Sequence, residues 1–155
     1  MHLDLERIPV IVGVGQVNDR PDQPGDGLDP VGLMAEALRR AERDGAAGLL
    51  TDCDSLAVVT QIGWPQLNPV EDALCAALGI DPSHRTHTPG PNGDGPTRLL
   101  NDAANRIGAG EAVICAIVGG EALRTAGQLA ALKPREDGEK PNALRDAPHR
   151  RKEGY

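Results

Sequence analysis

Two stretches of this chain are apolar, β-branched and continuous, a third reads as a strand with polar ends, a fourth alternates, and three more repeat their apolar residues at helical spacing. Ile8-Pro9-Val10-Ile11-Val12-Gly13-Val14-Gly15 reads as a strand buried on both faces, with Pro9 near its start, where a missing N–H is tolerated. Ala112–Val118 reads the same way, and Asp54–Gln61 reads as a further strand. Ser83–Thr88 alternates instead, with His84, Thr86 and Thr88 on one side and Arg85 and His87 on the other. Asp29-Pro30 supplies an N-cap and a proline at the first helical position. Met34, Ala37, Leu38 and Ala41 then recur on one helix face, and Gly45 is the stop. Pro69–Leu78, ended by Gly79, carries Val70, Ala73, Leu74 and Ala77, and Thr97–Gly108 turns Leu99, Leu100, Ala103, Ala104 and Ile107 inward. The order is βαβαβαβ, which predicts an α/β fold with a mostly parallel sheet and helices packed on it.

Composition narrows what such a sheet can do. The 155 residues include no Phe, one Trp (Trp64) and one Tyr (Tyr155), so the core is built from small aliphatic side chains and no aromatic platform exists for stacking bases. A net charge of −7 and a pI near 5.0 also exclude a nucleic-acid partner, because phosphate contacts need clustered Lys and Arg. No apolar run reaches the ~18 residues of a membrane span, and the first residues lack the basic start of a signal peptide. The expectation is therefore a cytoplasmic chain with no membrane partner. Up to Glu121 there are 8 basic and 18 acidic residues, and after it 8 and 5. That break, with the Pro-punctuated, charged text that follows, predicts a folded domain over 1–125. The tail 126–155 is expected to be disordered or weakly helical, with a short helical stretch at Leu129–Leu132.

The individual motifs are mostly ordinary. Gly13-Val14-Gly15 follows a strand, but Asn18 stands where a dinucleotide fingerprint needs its third glycine, so a flexible corner is the better reading. Cys53, Cys75 and Cys115 form no CxxC pair; Cys75 sits among helix-core residues and Cys115 within a strand, so all three read as reduced thiols rather than nucleophiles. His2, His84, His87 and His149 have no ligand spacing, so no metal site is expected. The Gly/Pro loop 89–96 opening a helix is the one candidate ligand site, since helix N-terminal N–H groups hold anions and oxyanions.

Taken in order, several segments resemble the N-terminal half of a thiolase-superfamily protein, of the branch that includes acetyl-CoA acetyltransferases and sterol-carrier-protein-type thiolases. They are Arg7–Gln16, Asp29-Pro30-Val31-Gly32-Leu33-Met34, Asp54–Val59, Leu100-Asn101-Asp102-Ala103-Ala104, Ile107-Gly108-Ala109-Gly110-Glu111-Ala112 and Gly119-Gly120-Glu121-Ala122-Leu123. The resemblance implies a lipid-metabolism acyltransferase acting on acyl-CoA substrates, with no resident cofactor. It also implies that the acyl-accepting Cys would stand at the start of the third helix, a slot that Gly93 occupies here. No catalytic residue is therefore assigned, and Asn92, Gly93, Asp94 and Gly95 are the expected substrate-binding residues. The family's second half, with its His and second Cys, has no counterpart in Ala126–Tyr155. The resemblance thus implies an acyltransferase relative that is incomplete and inactive alone. The alternatives are a non-catalytic assembly module, as a homodimer or with a complementary partner chain, and a truncated remnant.

Overall fold

A computed structural model describes residues 7–23 and 25–132 of the chain. Three strands, β1 (Ser55–Val58), β2 (His84–His87) and β3 (Cys115–Val118), form a parallel sheet in the order β2-β1-β3. Four helices, α1 (Pro30–Asp44), α2 (Glu71–Leu78), α3 (Gly95–Ala109) and α4 (Leu123–Leu132), alternate with and follow them. The α/β class, the parallel pairing and the packed helices are those read from the sequence.

Alternation of side chains along a strand sorts the sheet into two covered faces. Leu56 and Val58 of β1 and Val118 of β3 meet Met34 and Leu38 of α1 and Leu74 and Cys75 of α2 in the main core. Ser55 and Ala57 face the other way, under α3, whose Leu99 and Ala103 are buried. All four β1 residues are buried; three are apolar, and the fourth, Ser55, has its hydroxyl beside His84 Nδ1. On β2 exposure alternates between half-buried and exposed, as its polar text requires.

Helix ends follow their chemistry. Asp29 caps α1, its Oδ1 accepting from Gly32 N–H at 2.7 Å. Gly79 and Gly110 end α2 and α3 in the left-handed region at φ 70° and 74°, where any side chain is strained. The second helix starts at Glu71, two residues later than the spacing suggested. Pro69 belongs to the preceding turn, which Asn68 holds by donating from Nδ2 to Gln61 O.

One expectation is corrected. The run Ile8–Gly15 is extended but belongs to no strand, so one of the four expected strands is missing from the sheet. It lies instead along α1: a Cβ on Gly13 would fall 2.2 Å from Ala41 O, and one on Gly15 2.1 Å from Ala37 O. Val14 N–H donates to Asp44 Oδ2 and Gln16 O accepts from Arg40. The apolar text is that of a strand, but what flanks it is a helix backbone, and Val10, Ile11 and Val14 remain 66–72% exposed. Residue 125, the expected boundary, lies within a helix. α4 runs through it with Thr125 and Gln128 buried, and Thr125 Oγ1 donates to Leu28 O at 2.9 Å. The rest of the expected tail lies outside the described residues.

Candidate functional site at the C-terminal ends of the strands

In a parallel sheet the loops leaving the strand C-termini gather at one end, and ligands bind there. Here that end holds a cleft of about 480 Å³, lined among others by Val59 and Thr60 after β1, Pro96 at the start of α3, and Ile117, Gly119 and Glu121 at the end of β3. Hydrogen bonds tie its rim together. Thr60 N–H donates to Thr88 Oγ1 at 2.9 Å, and Thr60 Oγ1 donates to Thr88 O at 2.5 Å. The Glu121 carboxylate accepts from Ile62 N–H at 2.5 Å and Gly63 N–H at 2.9 Å, and Trp64 Nε1 donates to Ala122 O at 3.2 Å. The loops after β1 and β3 are thereby clamped to each other, which fixes the cleft's width.

The turn Asn92–Gly95 stands at the mouth of α3, beside this cleft. Gly95 is buried, and a Cβ there would press on Asn92 Oδ1 at 2.8 Å and Thr88 Cγ2 at 3.0 Å. Asn92, Gly93 and Asp94 are exposed. A Cβ on Gly93 would meet nothing within 4 Å, so the slot is sterically open and simply lacks a side chain. Pro96, next after the expected four, is the residue of this turn that lines the cleft.

None of the three thiols fills the gap. Cys53 precedes β1 and Cys115 begins β3, both at the far end of the strands, and Cys75 lies within α2. Burial pushes all three thiols up from their ordinary range, against the formation of a nucleophilic thiolate. The two described histidines are also engaged elsewhere. His84 Nδ1 lies 2.9 Å from Ser55 Oγ, and His87 Nδ1 lies 2.5 Å from Oε1 of the buried Glu71. Sequence reasoning placed both histidines on opposite faces of a strand but missed their partners. Glu71 looks like one of many surface acids, and only the packing of α2 on β2 reveals that it is buried. Beside it Arg85 pairs with Asp72 at 2.6 Å and with Asp81. Among the described residues no group of His, Cys, Asp or Glu could hold a metal ion, and no helix is long and apolar enough to cross a membrane.

A three-layered α/β arrangement with this cleft at the strand ends is a thiolase-like fold. Among solved structures the chain is similar to a monomeric SCP2-thiolase-like protein type 1 from Mycobacterium smegmatis. That likeness has a TM-score of 0.59 and 30% identity, over 74% of this chain and 23% of the other. The chain thus spans about a quarter of that neighbour's length. No family profile matches the chain, and no curated protein does.

Proposed function

We propose that this chain is a thiolase-like half-domain that binds an acyl thioester without forming a covalent acyl-enzyme. The observation that carries this reading is Gly93 at the opening of α3, beside the strand-end cleft, in a slot with room for a side chain and none present. The likeness to an SCP2-thiolase-like protein supports the substrate class. Acyl transfer through a covalent intermediate needs a nucleophile and a base within hydrogen-bond reach. Among the described residues the thiols lie at other positions, Cys53 and Cys75 buried and Cys115 half-buried, and the imidazoles are held by Ser55 and Glu71. The remaining chemistry is recognition. The positive end of the α3 dipole faces a thioester carbonyl, and the mostly apolar cleft wall takes the acyl chain.

Trp64 reports on this site, because it is the chain's one tryptophan and its indole bonds to the residue after Glu121. Titration of the full chain with acetyl-CoA or acetoacetyl-CoA is expected to shift Trp64 emission saturably, with no release of free CoA. Absence of any shift at millimolar thioester overturns the binding reading, and turnover by the unaided chain overturns the non-covalent one.

A further inference from the structure

A second cavity, of about 270 Å³, lies where the start of α2 packs beside β2, lined by Pro69, Glu71, Asp72, Arg85, Thr86 and His87. It shares no lining residue with the strand-end cleft. Alternation along β2 puts Arg85 and His87 on one face, and α2 meets that face with Glu71 and Asp72 of its first turn. Glu71 is the buried member of the lining. Its side chain is 9% exposed, against 48% for His87 and 90% for Asp72.

The Glu71 carboxylate is only half used. Its Oε1 lies 2.5 Å from His87 Nδ1, whereas its Oε2 is shut off from water and has no hydrogen-bond partner among the described residues. A buried carboxylate oxygen without a donor is costly, so the site calls for an N–H or O–H from outside. With Nδ1–H donating to Glu71, the neutral imidazole keeps its Nε2 lone pair, and no described residue donates to it. Charge around the cavity favours a cation. Arg85 is bonded to both Asp72 and Asp81, so with Glu71 three carboxylates stand about one guanidinium.

We propose that this cavity binds a small free primary amine in its ammonium form, whose N–H groups supply the donors that Glu71 Oε2 and His87 Nε2 lack. A small rotation about the carboxylate's terminal bond, a soft torsion, turns Oε2 toward the cavity while Oε1 keeps His87. The available acceptors select this class of ligand. A guanidinium needs both oxygens of a carboxylate for its paired bonds, and Oε1 is taken. A quaternary ammonium brings charge without donors. A compact ammonium brings both, and a cavity smaller than the ~300 Å³ at which ligand pockets usually start admits only a few heavy atoms. The proposal is independent of thioester binding, and its test does not use CoA.

Propylamine is titrated into the full chain at about pH 8 and low ionic strength, where charge is least screened. It is expected to shift the His87 imidazole proton resonance saturably, with half-saturation at millimolar concentration, the range that so few atoms allow. Loss of that resonance in His87→Gln assigns it. Tetramethylammonium at the same concentration is expected to leave the resonance in place. Glu71→Gln keeps the side chain's size and an acceptor for His87 but puts an NH₂ donor where the second oxygen stood. Amine binding by that variant is expected to weaken at least roughly tenfold. Circular dichroism checks its fold, and if the fold is lost, the comparison of the two ammonium ions on the wild-type chain still decides. No saturable shift, an equal shift with tetramethylammonium, or undiminished binding by folded Glu71→Gln each overturns the proposal.

Discussion

Asp54 does at a single residue what the chain elsewhere does with whole elements. Its Oδ2 accepts from Val113 N–H at 2.7 Å and Ile114 N–H at 2.9 Å, so one carboxylate joins the start of β1 to the approach to β3 across 59 positions of sequence. These bonds, that from Ile114 first, hold its pKa below the ordinary 3.8. A lowered native pKa means that ionised Asp54 stabilises the fold above the unfolded value, and that the contribution disappears as pH falls through the native value. Thermal melts of wild type and Asp54→Ala are therefore expected to differ most near neutrality and to converge below about pH 4. A constant gap between the two down to pH 2 would show that the carboxylate's charge is not what matters. Nothing in the sequence marks Asp54 among 23 acidic residues, because its partners are backbone groups supplied by a distant loop.

At the scale of elements, patterning was most reliable where a segment is covered on the side its pattern implies. α1 has its cap at Asp29 and its inner face at Met34 and Leu38, and both were legible. β1 and β3 were legible as apolar runs and β2 as an alternating edge. Ile8–Gly15 reads like β1, yet it lies outside the sheet, because β-branched text specifies an extended backbone and not the neighbour it pairs with. What holds the run is close backbone approach, and that rests on glycine. Gly15→Ala is expected to force its Cβ against Ala37 O and Ala41 N, which stand 2.1 and 2.6 Å from that position. The fold should lose about 1–3 kcal/mol in urea denaturation, and the Val14 amide should lose its protection from exchange. If stability and protection both stay at wild-type values, the run is not seated on α1.

Over the whole molecule the cleft is assembled from the ends of β1 and β3 and the start of α3, and on the proposed reading Gly93, beside it, stands where an acyl-accepting thiol would. Gly93→Cys places a thiol at an open position near a helix N-terminus, where backbone N–H groups and the dipole favour the thiolate. The variant's new thiol is expected to alkylate with iodoacetamide at least several-fold faster than the three native thiols, two of them buried and one half-buried. It is still expected not to turn over acetoacetyl-CoA, because His84 and His87 remain with Ser55 and Glu71. Turnover by this variant would mean that a base reaches the slot after all. The resemblance placed the four residues Asn92–Gly95 at the mouth of the third helix, and that is where they stand. It did not foresee Pro96, Thr60 and Glu121 as the cleft's own wall and clamp.

By itself the sequence determined the α/β class, the parallel crossovers and the caps of α1, all of which follow from local periodicity and turn chemistry. Tertiary structure alone decided which strand is central, that the first apolar run leaves the sheet, and that Glu71 is buried against His87. Each of these depends on which distant backbone comes to lie alongside. A hydrogen bond or a close contact between residues tens of positions apart leaves no periodic trace in either segment.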